Sequence, residues 1–349
     1  MKKILKILAL FLLVFIGIVA YIFYSTGYFR TIENTFEGEI YRKISIPGAE
    51  DIAISYNDHF IIISSFDRAA ARDGDLIQGG LYYLDLTQDQ TEPKLISADF
   101  SEPFYPHGIS IYQRDSANYL VYAINHVEDQ HSIELFELFG DSLVHRQTLR
   151  DESMISPNDL VAIDGESFYF TNDKHYKSGL GILAENYAGL ALTNVIYYDG
   201  SSYTEVADGI AYANGINLDK ERNLLFVASP RGFLVKVYDV QADGQLSFIE
   251  DIDCHTGVDN IAFDQAGNIW IGCHPSLLSF VAYAGGKKPI SPSELIKIDY
   301  RGKKDYTLES VYTDTGEHIS GSTVAAVYGD KIYVGNVMDE HVLVLQRFK

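Results

Sequence analysis

The chain has 349 residues, with 27 Lys and Arg against 48 Asp and Glu, and a formal net charge of −21. That acidic excess excludes a nucleic-acid surface, which needs clustered Lys and Arg, and favours a neutral or apolar substrate over a dianionic one. The two cysteines, Cys254 and Cys273, form no disulfide framework, and the motifs of serine hydrolases, nucleotide enzymes and zinc sites are missing from the sequence.

The first element is apolar. Lys2, Lys3 and Lys6 precede an uninterrupted run from Ile7 to Tyr24, 18 residues long, which meets the lower bound for crossing a bilayer. The run ends in Tyr21, Ile22, Phe23 and Tyr24, with no small-x-small cleavage site and with aromatic rings suited to a membrane interface. Residues 1–26 are therefore expected to form an uncleaved signal anchor or transmembrane helix. The lysines place its start in the cytoplasm, and residues 27–349 outside it, in the periplasm or the extracellular space.

Beyond the anchor one pattern recurs six times. Its copies begin at Glu50-Asp51, His107-Gly108, Asn158-Asp159, Asn214-Gly215, Asp259-Asn260 and Ser322-Thr323, and each continues into an apolar-leaning strand. A second strand follows each copy: 60–65, 119–125, 167–171, 224–229, 269–273 and 332–336. The copies lie 45 to 63 residues apart, roughly one four-stranded blade and its connections. The fold class is all-β, a six-bladed β-propeller. Its ring is expected to close by strand pairing of residues 36–46 with Val342–Leu345.

In such a ring the first positions of the six innermost strands converge near one end of the axis. Here they read Glu50, His107, Asn158, Asn214, Asp259 and Ser322, polar in every copy. Buried polar groups need partners, and a cation is the simplest. All but the histidine offer oxygen, the donor that calcium prefers. Glu50, Asn158, Asn214, Asp259 and the adjacent Asn260 would supply five oxygen side chains, and the two carboxylates would neutralise the ion. Asp51 and Asp159, one place further on, would face the opposite side of their strands by alternation and hold a second, more buried calcium with a backbone carbonyl. Asp and Asn also cap turns, but recurrence in six copies favours a shared ligand.

Ten stretches in order, among them Pro106-His107-Gly108-Ile109-Ser110, Asn125-His126, Pro157-Asn158-Asp159, Thr171-Asn172-Asp173, Ala213 to Asn217, Val258 to Ile261 and Trp270 to Pro275, make the chain resemble the paraoxonase/arylesterase family of calcium-dependent six-bladed propellers. The resemblance runs from about Gly48 to Val344. It implies hydrolysis of lactones and aryl esters with two Ca2+ ions. The catalytic ion falls to Glu50, Asn158, Asn214, Asp259 and Asn260, and the structural one to Asp51, Asp159 and the main-chain oxygen of Ile109. It further implies a histidine dyad at His107 and His126 and an aspartate at the mouth of the site, Asp173. Animal members that are secreted join the first and last blades by a disulfide whose partners this chain lacks. Cys273 matches a free cysteine of the family, and Cys254 has no counterpart.

On this reading His107 activates the attacking water and His126 orients it or relays its proton, with Asp259 or Asp173 as an alternative base. His274 is read as structural or lining, Ser322 as a channel-lining hydroxyl, and His131, His255, His318 and His341 as standing outside any constellation. Residues 174–195 are expected as short helices or a lid, and residues 279–289 as a long connection; both could wall the site. Two other readings remain: a sugar-lactone hydrolase of the gluconolactonase type, and a calcium-stabilised binding propeller without catalysis.

Overall fold

The computed structural model describes residues 2–116, 118–127 and 130–348. Six antiparallel sheets stand around one axis, and each innermost strand touches the next around the ring. From the axis outward, blade 1 is Ala49–Ser55, Phe60–Ser65, Gly80–Asp85 and Lys94–Leu95, and blade 2 is Pro106–Gln113, Asn118–Asn125, Ser132–Phe139 and Ser142–Leu149. Blade 3 is Pro157–Ala162, Phe168–Asn172, Thr193–Tyr198 and Tyr203–Ile210, and blade 4 is Ile216–Asp219, Leu224–Ser229, Leu234–Val240 and Leu246–Asp253. Blade 5 runs Gly257–Phe263, Ile269–His274, Ser293–Gly302 and Asp305–Asp314, and blade 6 runs Ser322–Tyr328, Lys331–Asn336 and His341–Arg347.

The last place in blade 6 is taken by Gly38–Ser45, which pairs antiparallel with His341–Arg347. The ring thus closes where the sequence pattern places the seam. Just before it, Thr35–Phe36 adds a fifth strand to blade 5 by pairing with Thr313 and Tyr312. The N-terminal segment is therefore stitched to two blades.

Second strands are buried on both faces, and they read accordingly as continuous apolar runs, such as Phe60 to Ile63. Their side chains fill the layers between blades. Blades 1 and 2, for instance, share Phe60, Ile62, Val121 and Phe136, and blades 4 and 5 share Phe226, Val235, Ile269 and Ile296. Tyr56 ties the far end of the axis together, its hydroxyl donating to the carbonyls of Phe263 and Val327 in two other blades.

Each innermost strand begins with a β-bulge, where two residues face one on the second strand. Register shifts mark it between Ala49 and Asp51, Pro106 and Ile109, Pro157 and Leu160, Val258 and Ile261, and Ser322 and Ala325. In blade 4 both Asn214 and Gly215 bond Ala228. This corrects two expectations. Strict alternation fails at the bulge, so consecutive residues such as Glu50 and Asp51 both reach neighbouring innermost strands. In blade 6, Ser322 pairs with Asn336 as Pro157 pairs with Asn172, so Thr323 holds the place equivalent to Glu50. Ser322 donates instead to the carbonyls of Cys273 and Glu294.

A helix spans Lys2–Ser25, with no buried residue. It is long and apolar enough to cross a membrane, a test that a signal sequence also passes. Its end docks on the propeller: Arg231 donates to the carbonyl and hydroxyl of Ser25, and Leu277 N–H donates to Thr26 O. Of the two excursions, residues 174–195 contain the expected short helical turns, Leu180–Leu183 and Ala184–Ala188. Residues 279–289, expected as a connection, belong mostly to a helix, Leu277–Ala284.

Candidate metal centre and active site

The bulges set two layers of side chains on the axis. The first contains Glu50, His107, Asn158, Asn214, Asp259 and Thr323, with Asn260 beside them. At Glu50, Asp259 and Asn260 one side-chain atom is held and another is left open. Glu50 Oε1 accepts from Asn260 Nδ2 at 2.9 Å. Asp259 Oδ2 meets His274 Nε2 at 2.8 Å, and that imidazole is stacked beneath Phe280 with ring centroids 3.8 Å apart. Thr323 donates to the Glu50 carbonyl at 2.6 Å, and Thr171 donates to that of Asn214 at 2.6 Å.

Glu50 Oε2, Asn158 Oδ1, Asn214 Oδ1, Asp259 Oδ1 and Asn260 Oδ1 have no hydrogen-bond partner, five of the eleven such buried side-chain atoms among the described residues. An orphaned buried acceptor costs about 1–3 kcal/mol. Five on one axis form a donor set that a hard cation fits, within the six to eight oxygens calcium takes once water or substrate is added. Among the described residues no group of three or more His, Cys, Asp and Glu is arranged to hold a metal. This set draws instead on two carboxylates and three carboxamides.

The second layer is built differently. Asp51 accepts from Ile52 N–H and Ile109 N–H, both at 2.8 Å, and Asp159 accepts from Leu160 N–H at 2.7 Å and Ile216 N–H at 2.8 Å. All four oxygens are bonded. Gly108 makes room for this layer, because a Cβ there would stand 2.5 Å from Asp159 Oδ1. A cavity of about 200 Å³ continues down the axis from Asp51 and Asp159 past Ile216 and Ile261.

Electrostatics nevertheless makes both layers receptive to a cation. Burial, and then the neighbouring Glu50 charge, pushes Asp51 up to about 8, against the pull of its two N–H donors. Burial and the Asp51 charge raise Asp159 well above the ordinary range. Burial raises Asp259 despite His274. At Glu50 burial pushes upward, but His107, Arg68 and Asn260 together bring it below its usual value.

The two candidate histidines meet. His107 lies in the bulge of blade 2, and His126 follows the strand paired with it, its N–H donating to Tyr105 O. The rings stand edge to face with centroids 4.8 Å apart. His107 Nε2 is 3.4 Å from Glu50 Oε1 and 3.4 Å from Asn158 Nδ2. Its Nδ1 faces Arg68 Nη2 at 3.1 Å. An arginine only donates, so Nδ1 accepts and the neutral ring carries its hydrogen on Nε2. Burial, followed by the charges of His107 and His131, holds His126 well below the usual histidine value.

Arg68 was missed in the sequence. It opens a short helix, Arg68–Asp73, whose ends are set by the Asp67 cap and by Gly74 at φ +105°. Those caps are legible, but the contact with His107 crosses blades and is not. His131 was also missed, since it stands 3.1 Å from His126, Nδ1 to Nδ1. Asp173 lies in a different setting, bonded by Ser156 Oγ and paired with Lys174 at 3.1 Å. Lys174 sits 3.7 Å over the Tyr212 ring. His318 and His341, read as isolated, join the seam through Asp314 and the His318 carbonyl, while His255 meets Asp253 at the exposed surface. Cys254 and Cys273 are buried free thiols.

The arylesterase family profile matches residues 47–344. Serum paraoxonase/arylesterase 2 of Gallus gallus is 33% identical over 303 residues, covering 83% of each chain. Serum paraoxonase/arylesterase 1 of Homo sapiens is 35% identical over 238 residues, covering 67% of this chain and 66% of its own. Among solved structures, a luciferin-regenerating enzyme superposes with TM-score 0.56 at 14% identity, covering 90% of this chain and 95% of its own. A gluconolactonase from Xanthomonas campestris superposes with TM-score 0.55 at 11% identity, covering 91% and 99%. These two likenesses establish the fold alone. With the family profile spanning nearly all of the propeller and relatives above 30% identity, the chain belongs to the arylesterase family.

Proposed function

We propose that the chain cleaves lactones and aryl esters at the first layer of the axis with calcium as its cofactor, in a domain that the N-terminal helix anchors outside the cytoplasm. The five orphaned oxygens carry this reading. Glu50, Asn158, Asn214, Asp259 and Asn260 would hold the catalytic ion, and Asp51, Asp159 and the Ile109 carbonyl a structural one. When bound, calcium supplies Lewis-acid polarisation of the ester carbonyl and offsets the charge developing on its oxygen.

The residues of the chain do the rest. His274, buried under Phe280, fixes the orientation of Asp259 so that one oxygen stays turned away from the imidazole. His107 and His126 handle the proton of the attacking water. For His107 to accept a proton at Nδ1 it has to release Arg68, which has other acceptors in the carbonyls of Gly48, Phe66 and Pro106, each at 3.4 Å. Asp173, neutralised by Lys174, serves better as part of the wall than as the base. Leu180, Leu183 and Leu190 of the 174–195 excursion are exposed, and Tyr21 of the helix donates to Ala188 in the same excursion, so the apolar flank of the site lies beside the anchor.

The test is turnover of phenyl acetate and a panel of acyl and sugar lactones by the full chain in detergent, before and after calcium chelation. Asn214→Ala and Asp259→Ala are run beside the wild type. Calcium-dependent turnover that is lost in folded variants supports the proposal. Turnover of an aldonolactone alone moves the substrate to the sugar class, and bound calcium without turnover of any substrate rejects the proposal.

A further inference from the structure

His107, His126 and His131 form a row of three imidazoles. His126 stands edge to face against His107 on one side and His131 on the other, with ring centroids 4.8 Å apart in both pairs and interplanar angles of 73° and 83°. The outer ring reaches a groove of about 570 Å³, whose wall also includes Arg150, Ser156, Lys174 and Tyr176. His131 thus stands between that groove and the middle ring.

We propose that His131 is a positioning residue for the hydrolysis, acting through His126; this rests on the histidine pair serving the reaction. His126 sits just beyond the end of a strand, with its backbone pinned by Tyr105, but the second side-chain torsion of a histidine is broad and nearly two-fold. An imidazole there can turn over and exchange the places of its two nitrogens. The contact at 3.1 Å between the two Nδ1 atoms removes that freedom. A hydrogen bond between two Nδ1 atoms requires one ring to donate and the other to accept, and the hydrogen on one nitrogen of a neutral imidazole fixes the state of the other. With His131 donating, His126 accepts at Nδ1 and carries its own hydrogen on Nε2. His131 therefore selects both the orientation and the tautomer that His126 brings to His107.

The experiment compares His131→Leu, which keeps bulk but cannot hydrogen-bond, with His131→Gln, which restores a donor and an acceptor. Both are made in the full chain in detergent with calcium present. The expected result is a kcat for His131→Leu lower by about tenfold, a modest share of what acid–base catalysis contributes, with KM and melting temperature near those of the wild type. His131→Gln should recover most of the loss. A second readout needs no turnover: side-chain 15N–1H spectra should show one tautomer at His126 in the wild type and in His131→Gln, and a mixture in His131→Leu. An unchanged His126 spectrum in His131→Leu overturns the proposal. So does wild-type kcat in that variant, or a loss that only follows its melting temperature and that Gln does not rescue. If the wild type itself turns over no ester or lactone, the functional reading fails, and the spectra alone decide the tautomer.

Discussion

The two layers on the axis use the same residue types to opposite ends. In the first, five side-chain oxygens are unsatisfied. In the second, the four carboxylate oxygens of Asp51 and Asp159 each accept a backbone N–H. Two of those bonds cross between blades, with Ile109 N–H donating to Asp51 and Ile216 N–H to Asp159. One layer is arranged to be completed by something else, and the other already fastens the ring. Adjacent residues of one bulge thus differ in whether their oxygens are already held by the chain itself.

Breaking the first layer should have the largest effect on activity. Asp259→Ala is expected to lower kcat/KM by about a thousandfold, the scale of losing a principal electrostatic element, while its melting temperature stays close to that of the wild type with calcium present. Ester turnover beside differential scanning calorimetry checks both parts.

Breaking the second should show first in stability. Asp51→Ala leaves the N–H groups of Ile52 and Ile109 buried and unbonded, at about 1–3 kcal/mol each, so denaturant unfolding should shift by a few kcal/mol. The molecules that remain folded should retain turnover.

The same layer predicts a pH dependence in calcium-free protein. Asp51 is raised to about 8 in the folded state, above the ordinary aspartate range of the unfolded chain, so the folded state binds more protons between about pH 4 and pH 8. Stability should be greatest at the acid end of that window and fall as pH rises through it. Saturating calcium should flatten the slope. Melting temperature against pH, with and without the ion, tests this, and a slope of the opposite sign would refute it.

Gly108→Ala sharpens the division more gently. The added methyl would stand 2.5 Å from the Asp159 Cα and 2.6 Å from the Asn158 carbonyl in the bulge of blade 3, and overpacking of this kind costs about 1–3 kcal/mol. The second layer should shift and lower the melting temperature, with a smaller change in turnover than Asp259→Ala.

Much of this site is legible in the sequence because a propeller turns a linear recurrence into a ring. Polar residues at the head of six apolar strands point to the axis, and four of the five oxygen donors follow from that register, with Asn260 next to it. The seam follows from strand-like stretches near both ends of the chain. What escapes is whatever depends on pairing detail. Ser322 and Thr323 are both small hydroxyl residues, and only the partner strand shows which of them stands on the axis. The bulge is set by two strands together, and it is the bulge that aims Glu50 and Asp51 at the same channel. Arg68 and His131 come from excursions whose sequence spacing says nothing about where they return. The helix over Leu277–Ala284 was hidden by its uniform apolarity and by the two glycines that follow it.

The seam between Gly38–Ser45 and His341–Arg347 also sets a schedule. The strand that completes blade 6 is made before blades 1 to 5, and its partner after them. Until His341–Arg347 is made, that early strand waits as an unpaired edge, tethered a short way beyond the Lys2–Ser25 helix, and its Arg42 and Lys43 discourage mistaken pairing. Contacts so distant in sequence form slowly. The ring can therefore shut only once His341–Arg347 has been made, so the axis gains its full set of oxygens after every blade has its strands.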